Sequence, residues 1–296
     1  MTIATPSDAA RHSGNLATRL IRGSRWSWRD ARLAANLPSD LDASVMALEG
    51  GDRHHRKQGR STARIRFDAA SPGLPPLSVY LKRHYRLPLW DRIRALVHPS
   101  GRYSPASAEW AHLESARRLG VNVPEVVAVG ERIGPWGGLQ SYLMVAELLD
   151  QAPLHEAIPA LAASMDPVAF ERLKRALIVE MAQIVARLHA ACAFHKDLYL
   201  CHFFLPSGGF QPGDDGRRLC LIDLHRLAIH RWSKVRWRCK DLGQLLYSTE
   251  GVVGVDDRDR LRFWKHYRRR MRLRLPEVEA RLIRGKAALY GKHNRE

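Results

Sequence analysis

The sequence predicts an α+β protein of two unequal lobes. Three observations carry that prediction. Strand-like alternation and Pro/Gly turns fill the first half, one capped helix interrupts them, and helical periodicity takes over from Phe170 onward. The 296 residues suffice for one large domain or two fused lobes. A hydrophobic fraction of 45% with 26% charged residues excludes wholesale disorder.

The first 40 residues mix small, polar and basic side chains and read as an extension with a helix around Trp26–Leu33. ARIRF (63–67) and LSVYLKRH (77–84) alternate as strands, joined by the turn DAASPGLPP. Ser104-Pro105 opens a helix that Gly120 ends: serine caps, proline suits the first turn, and glycine tolerates the exit. VPEVVAVGE (123–131) and LQSYLMVAEL (139–148) form a strand pair around the loop Gly134–Gly138. In the second half, Phe170, Leu173, Leu177, Ile178, Met181, Ile184, Val185 and Leu188 recur at helical spacing. AFHKDLYLCHFFL (193–205) is non-periodic, and the turn-rich insert PSGGFQPGDDGRR (206–218) leads to the short apolar strand LCLIDLHRLAI (219–229). A basic segment (231–240), a helix opening at Asp241 and a very basic helical tail complete the chain.

Lys+Arg exceed Asp+Glu by 48 to 30, a formal net charge of +18. That surplus calls for an anionic partner: nucleic acid, an acidic membrane surface, or a phosphorylated or carboxylated substrate. Cys192, Cys201, Cys220 and Cys239 form neither a disulfide framework nor a Cys-x-x-Cys zinc pair, so they read as free thiols in a reducing compartment. The N-terminus lacks a continuous apolar stretch and no segment has the length of a spanning helix, which points to a cytoplasmic protein.

The chemistry concentrates in a few positions. His195-Lys196-Asp197 follows the long apolar helix, His202 lies five residues beyond Asp197, and Asp223 ends the apolar strand LIDL. Upstream, Lys82 sits in the strand VYLK and Glu109 on the helix after it. Phosphoryl transfer to a hydroxyl needs such a set. One carboxylate orients the hydroxyl and accepts its proton, a second holds Mg²⁺, a lysine meets nucleotide phosphates, and a glutamate keeps that lysine in place. Glu114 competes with Glu109 for the last role. Glu109, Leu113 and Ala116 share one helix face, which favours Glu109.

These residues and their order resemble the protein-kinase-like superfamily, and within it the lipopolysaccharide core heptose and Kdo kinases of Gram-negative bacteria. HKDLYLCHFFL, LIDLHR and RWRCKDLGQLLYS look like that family's catalytic loop, metal strand and following helix. RSTARIRF, VYLKRH, AEWAHLESARRLGVNVPEVVAVGE and MVAEL match its N-lobe, so the resemblance spans roughly Ala43 to Leu273. It implies an extension over 1–40, an antiparallel-sheet N-lobe with one helix over 41–147, and a mostly helical C-lobe with basic C-terminal helices over 148–296. It further implies ATP and Mg²⁺: Lys82 on the α/β-phosphates, Glu109 paired with it, and Glu147 and Leu148 meeting adenine through backbone groups. Asp197, with His195, forms the catalytic His-x-Asp, Asp223 chelates Mg²⁺, and Asp241 supports the loop from beneath.

Three departures from the kinase pattern stand out. His202 occupies the position of a metal-binding asparagine, yet imidazole is a poor Mg²⁺ ligand, so contact with phosphate or with Asp197 stays open beside a metal role. Asp223 precedes Leu-His instead of Phe-Gly. The phosphate loop has only Gly50, Gly51 and Gly59, separated by DRHHRKQ. The interval from Asp223 to Asp241 is also too short for an extended peptide substrate. Its Arg231, Lys234, Arg236 and Arg238 suit an anionic sugar or lipid head group, such as the inner core with its Kdo carboxylates and lipid A phosphates.

The implied activity is phosphorylation of an inner-core sugar, heptose foremost, on the cytoplasmic side of the inner membrane. Kdo or another small acceptor is the alternative. A non-catalytic basic pseudokinase or nucleic-acid-binding protein is the rival class, disfavoured because Lys82, Asp197 and Asp223 are all present. The basic tail Arg258–Arg274 reads either as a solvated helix or as a contact with the anionic leaflet. Acyl carrier protein enters as a partner through the resemblance alone.

Overall fold

The computed structural model describes residues 24–48, 52–57, 59–69, 75–85, 104–133, 139–207 and 218–293, with isolated helical positions at 17, 21, 89, 90 and 93. Gly50, Gly51, the loop 134–138 and most of the turn at 68–76 and of the insert at 206–218 lie outside the described residues, as do the side chains of 52–57. The chain forms two compact units, residues 1–112 with 124–148, and residues 113–123 with 149–296. The stretch 113–123, expected with the first lobe, belongs to the second unit.

Unit 1 is built on strands β1 (Ser24–Arg29), β2 (Asp52–Lys57), β3 (Arg60–Phe67), β4 (Leu77–His84), β5 (Val126–Ile133) and β6 (Leu139–Ala146). They make one sheet in the order β1-β5-β6-β4-β3-β2, with antiparallel neighbours throughout. Helix α1 (Leu41–Ser44) precedes β2, and α2 (Pro105–Arg118) starts in this unit. Leu41, Val45, Ile65, Val79, Leu81 and Met144 lie in its core. The helix expected around Trp26–Leu33 is instead strand β1. Trp26 and Trp28 recur at period two on one face. Trp26 meets the Trp110 ring edge-on at 5.5 Å and Trp28 lies 5.1 Å from it. Between them Ser27 Oγ donates to Asp42 Oδ2 at 2.9 Å, and Tyr142 Oη donates to Asp42 Oδ1 at 2.5 Å. Gly130 has no side chain because a Cβ there would stand 2.5 Å from the Tyr142 ring.

Unit 2 is mostly helical: α3 (Leu154–Ser164), α4 (Pro167–Ala190), α5 (Lys234–Tyr247), α6 (Asp257–Met271) and α7 (Pro276–His293). Short strands β7 (Gln151–Pro153), β9 (Phe203–Pro206) and β10 (Cys220–Leu221) form one sheet, and β8 (Ala193–Phe194) pairs with β11 (Ala228–Ile229). Asp166 caps α4, its side chain accepting from Ala169 N at 2.9 Å, and Pro167 occupies the first turn. The buried stripe of α4 includes Phe170, Leu173, Leu177, Met181, Ile184 and Leu188. Helix α5 opens at Lys234, not at Asp241. Its basic first turn faces solvent while Cys239, Asp241, Leu242 and Leu245 are buried, so an amphipathic helix hides behind the run of charge.

Gly120, after α2, has φ +73°, the left-handed conformation that glycine adopts at least cost. A cavity of about 430 Å³ in unit 2 is lined mainly by apolar side chains, among them Leu177, Met181 and Ile283, with Lys174, Asp259 and Arg260 also on its wall. Among the described residues, no helix is long and apolar enough to cross a membrane.

Candidate active site

In unit 1, strand β4 carries Lys82 between Thr62 of β3 and Leu143 of β6. Lys82 Nζ donates to Glu109 Oε1 at 2.6 Å, and Glu109 is nearly buried. The competing candidate, Glu114, pairs with Arg117. At the end of β6, Glu147 N donates to Ser78 O at 2.9 Å, and its carboxylate pairs with Arg64. Gly59, at φ +75°, forms the tight turn between β2 and β3.

In unit 2, the loop after β8 is held from beneath by Asp241, which is 0% exposed. Its Oδ2 accepts from His195 N and its Oδ1 from Lys196 N, both at 2.8 Å. Two charge-assisted bonds to consecutive amides fix the backbone, including Lys196 at φ 68°, an unfavourable conformation for a side-chain-bearing residue. His189 Nε2 also reaches Asp241 Oδ2, at 3.3 Å, and its Nδ1 lies 2.7 Å from Tyr267 Oη. The carboxylate can only accept, so Nε2 carries the proton and Tyr267 donates to Nδ1. A buried chain of bonds therefore runs from α6 through α4 and α5 to the loop.

The His-x-Asp histidine requires a correction. His195 is 0% exposed, Nε2 donates to Ile222 O at 3.1 Å, and Nδ1 has no hydrogen-bond partner among the described residues. Burial pushes its pKa down, so it is neutral at pH 7. It ties the loop to the strand before Asp223 and is a positioning residue, since such depth keeps it from a substrate.

Asp197 is partly exposed. Its Oδ2 accepts from Arg226 Nη1 at 2.9 Å and its Oδ1 from Gln244 Nε2 at 3.2 Å, while Gln244 also reaches Tyr199 Oη at 3.0 Å. Sequence reasoning missed Arg226 and Gln244. Arg226 lies three residues after Asp223 and Gln244 three after Asp241, but nothing separates one arginine from the many around it.

Asp223 adopts φ 63°, a left-handed turn just after the strand. His225 Nδ1 donates to Oδ1 at 2.5 Å, and His202 Nε2 lies 3.7 Å from Oδ2. His202 Nδ1 donates to Asp197 O at 2.8 Å, so this imidazole bridges the two acidic residues. A partly exposed carboxylate is the donor type a hard cation prefers, and such an ion would draw its remaining ligands from phosphate and water. The His202 imidazole is not a preferred ligand for such a cation.

Of the basic residues expected at the acceptor, Arg231, Lys234 and Arg236 are exposed. Arg238 is not available there, which corrects that expectation. It is buried, with Nε and Nη2 each 2.6 Å from a Glu279 oxygen, because its position on α5 points toward α7.

A family model described as "Lipopolysaccharide kinase (Kdo/WaaP) family" matches residues 54–267. The chain belongs to that family. Membership makes it a phosphotransferase with an alcohol group as acceptor. Among relatives, the lipopolysaccharide core heptose(I) kinase WaaP of Pseudomonas aeruginosa is 30% identical over 240 residues, 81% of this chain and 85% of that protein. The Escherichia coli protein of the same description is 31% identical over 203 residues, 69% of this chain and 73% of its own length. A solved chain described as WaaP in complex with acyl carrier protein shares the fold with a TM-score of 0.66 at 29% identity, covering 89% of this chain and 97% of that one. The two-lobed kinase-like α+β class expected of the Kdo/WaaP family is the class found.

Proposed function

We propose that this Kdo/WaaP-family chain is an ATP- and Mg²⁺-dependent kinase that phosphorylates a heptose of the lipopolysaccharide inner core. The observation that carries the reading is the arrangement in unit 2, where Asp197 and Asp223 stand on turns locked by Asp241 and His195 and are bridged by His202. The named relatives support the choice of heptose.

In this reading the sugar hydroxyl oxygen bonds to the γ-phosphorus as the bond to the ADP oxygen breaks. Asp197 orients the hydroxyl and takes its proton. Arg226 and Gln244 fix the two oxygens of Asp197, which limits the rotations it must lose in the transition state. Asp223 would hold Mg²⁺, which would neutralise charge on the phosphates. Lys82, kept extended by Glu109, meets the α/β-phosphates. Adenine meets the backbone of Glu147 and Leu148; the Glu147 N–H is already committed to Ser78, which leaves the Glu147 carbonyl for that contact. Arg231, Lys234 and Arg236 recognise anionic groups of the acceptor.

The acceptor places the enzyme at the cytoplasmic face of the inner membrane, as a peripheral protein. Acyl carrier protein is the partner, supported by the solved neighbour and by the apolar cavity of unit 2, whose lining suits a hydrocarbon chain. The deciding experiment is mass spectrometry of core oligosaccharide from cells with and without this protein. One phosphate fewer on heptose in its absence is expected; an unchanged core overturns the proposal.

A further inference from the structure

Large apolar side chains on a protein surface are usually scattered singly. Between β11 and the first turn of α5 they are not. Ile229 is 56%, Trp232 100% and Val235 45% exposed, at intervals of three residues. Arg231, Lys234 and Arg236 alternate with them, all exposed. There is no acidic residue from Leu227 to Lys240, and none of these three cations makes an ion pair among the described residues.

The segment is held at both ends. Ala228 and Ile229 pair with Phe194 and Ala193, and His230 N donates to Cys192 O at 2.9 Å. The His230 ring stacks on Trp237 at 4.4 Å, nearly parallel. Trp237 in turn receives Lys196 Nζ at 4.9 Å from its ring centre, so the projection is fastened to the residue before Asp197. A fully exposed tryptophan on a fastened projection implies a surface that covers it.

The basic tail is a weaker candidate for that contact. On α6, Arg260 pairs with Asp257 and Arg262 with Asp259, while Phe263 and Trp264 stack toward the buried Tyr267.

We propose that the segment Ile229–Arg236 seats the protein on an anionic bilayer, with Trp232 entering the interface and the flanking cations meeting lipid head groups. Tryptophan favours the boundary between hydrocarbon and water, and cations beside it are attracted by anionic lipid. A nucleic acid would engage the tryptophan and the cations but has nothing for the aliphatic Ile229 and Val235. The proposal deepens the reading of a lipid-borne acceptor, for which a seat fastened next to Asp197 brings the head group within reach.

The test is co-sedimentation of the full chain, without nucleotide, with vesicles of phosphatidylcholine alone or mixed with phosphatidylglycerol. Binding to the mixed vesicles that weakens with salt is expected, with tryptophan quenching by brominated lipid. Trp232→Ala should remove most of that quenching and lower binding, and Lys234→Gln should lower it about fivefold, as about 1 kcal/mol per surface cation implies. Trp232→Ala should leave thermal stability and the phosphorylation of delipidated core acceptor unchanged. Wild-type vesicle binding by Trp232→Ala and Lys234→Gln overturns the proposal, and so does loss of activity on the soluble acceptor in Trp232→Ala. An inactive wild-type protein that still binds vesicles through Trp232 would sink the kinase reading and leave the seat intact.

Discussion

Arg226 grips the carboxylate of Asp197 from the solvent side, Nη1 to Oδ2 at 2.9 Å, while Gln244 holds the other oxygen from the helix. In the proposed reaction the guanidinium sets where the proton-accepting oxygen points. Arg226→Ala should lower kcat by about tenfold to a hundredfold with little change in the ATP KM, a loss below the 10²–10⁴ typical of removing the proton acceptor itself. Asp197→Ala should abolish turnover and keep nucleotide binding, whereas Asp223→Ala should also lose Mg²⁺-dependent nucleotide affinity. Steady-state kinetics and nucleotide titration check the three. Unchanged turnover in both aspartate variants would end the assignment.

Lys82 and Glu109 make a comparably separable prediction. Glu109→Gln keeps an acceptor near the ammonium and removes its charge, so nucleotide affinity should drop about tenfold, the size of one weakened charge-assisted contact. Glu114→Gln, whose partner is Arg117, should leave nucleotide affinity alone. Equal effects of the two would show that Glu109 has no special role.

The buried pair Arg238–Glu279 joins α5 to α7. Removing one partner strands the other charge, so Arg238→Ala should destabilise the fold by about 3–5 kcal/mol, and Arg238→Met with Glu279→Leu should recover much of that. Chemical denaturation reads the difference. An increase in acceptor KM with unchanged stability would return Arg238 to the acceptor site.

Protonation of His195 gives a pH dependence. Burial holds its folded-state pKa below the ordinary value, so the unfolded chain takes up the proton first as pH falls. Its contribution to stability is complete above about pH 6.5 and is lost below it, by at most about 1.4 kcal/mol per pH unit. The stability profile of His195→Asn between pH 7 and 5 should be flatter than that of the wild type; parallel profiles would refute the link. The Cys220 thiol, pushed up to about 12 by burial, should resist alkylation at pH 8 until the protein unfolds.

Much of this architecture was legible in the sequence because some signals are local. The Phe170–Leu188 stripe repeats at one helical period, and Asp166 with Pro167 marks where it starts. Lys82 stands in a strand whose neighbours alternate. Other features depend on partners remote in sequence. Trp26 and Trp28 became a strand because Trp110 and β5 were there to receive them. Arg238 looked like its basic neighbours until Glu279, 41 residues on, claimed it. Arg226 and Gln244 were invisible for a related cause: their roles come from the geometry of Asp197, which no spacing rule encodes.

Strand β1 has a practical consequence for anyone shortening the protein. A version beginning at residue 41, where the sequence alone would trim, would discard the outermost ribbon and bare the backbone of β5 over the register from Ser24–Ile133 to Arg29–Ala128. An unguarded edge of that length invites another chain to zip onto it, so insoluble material from such a trimmed version would reflect an amputated sheet, not an unstable enzyme.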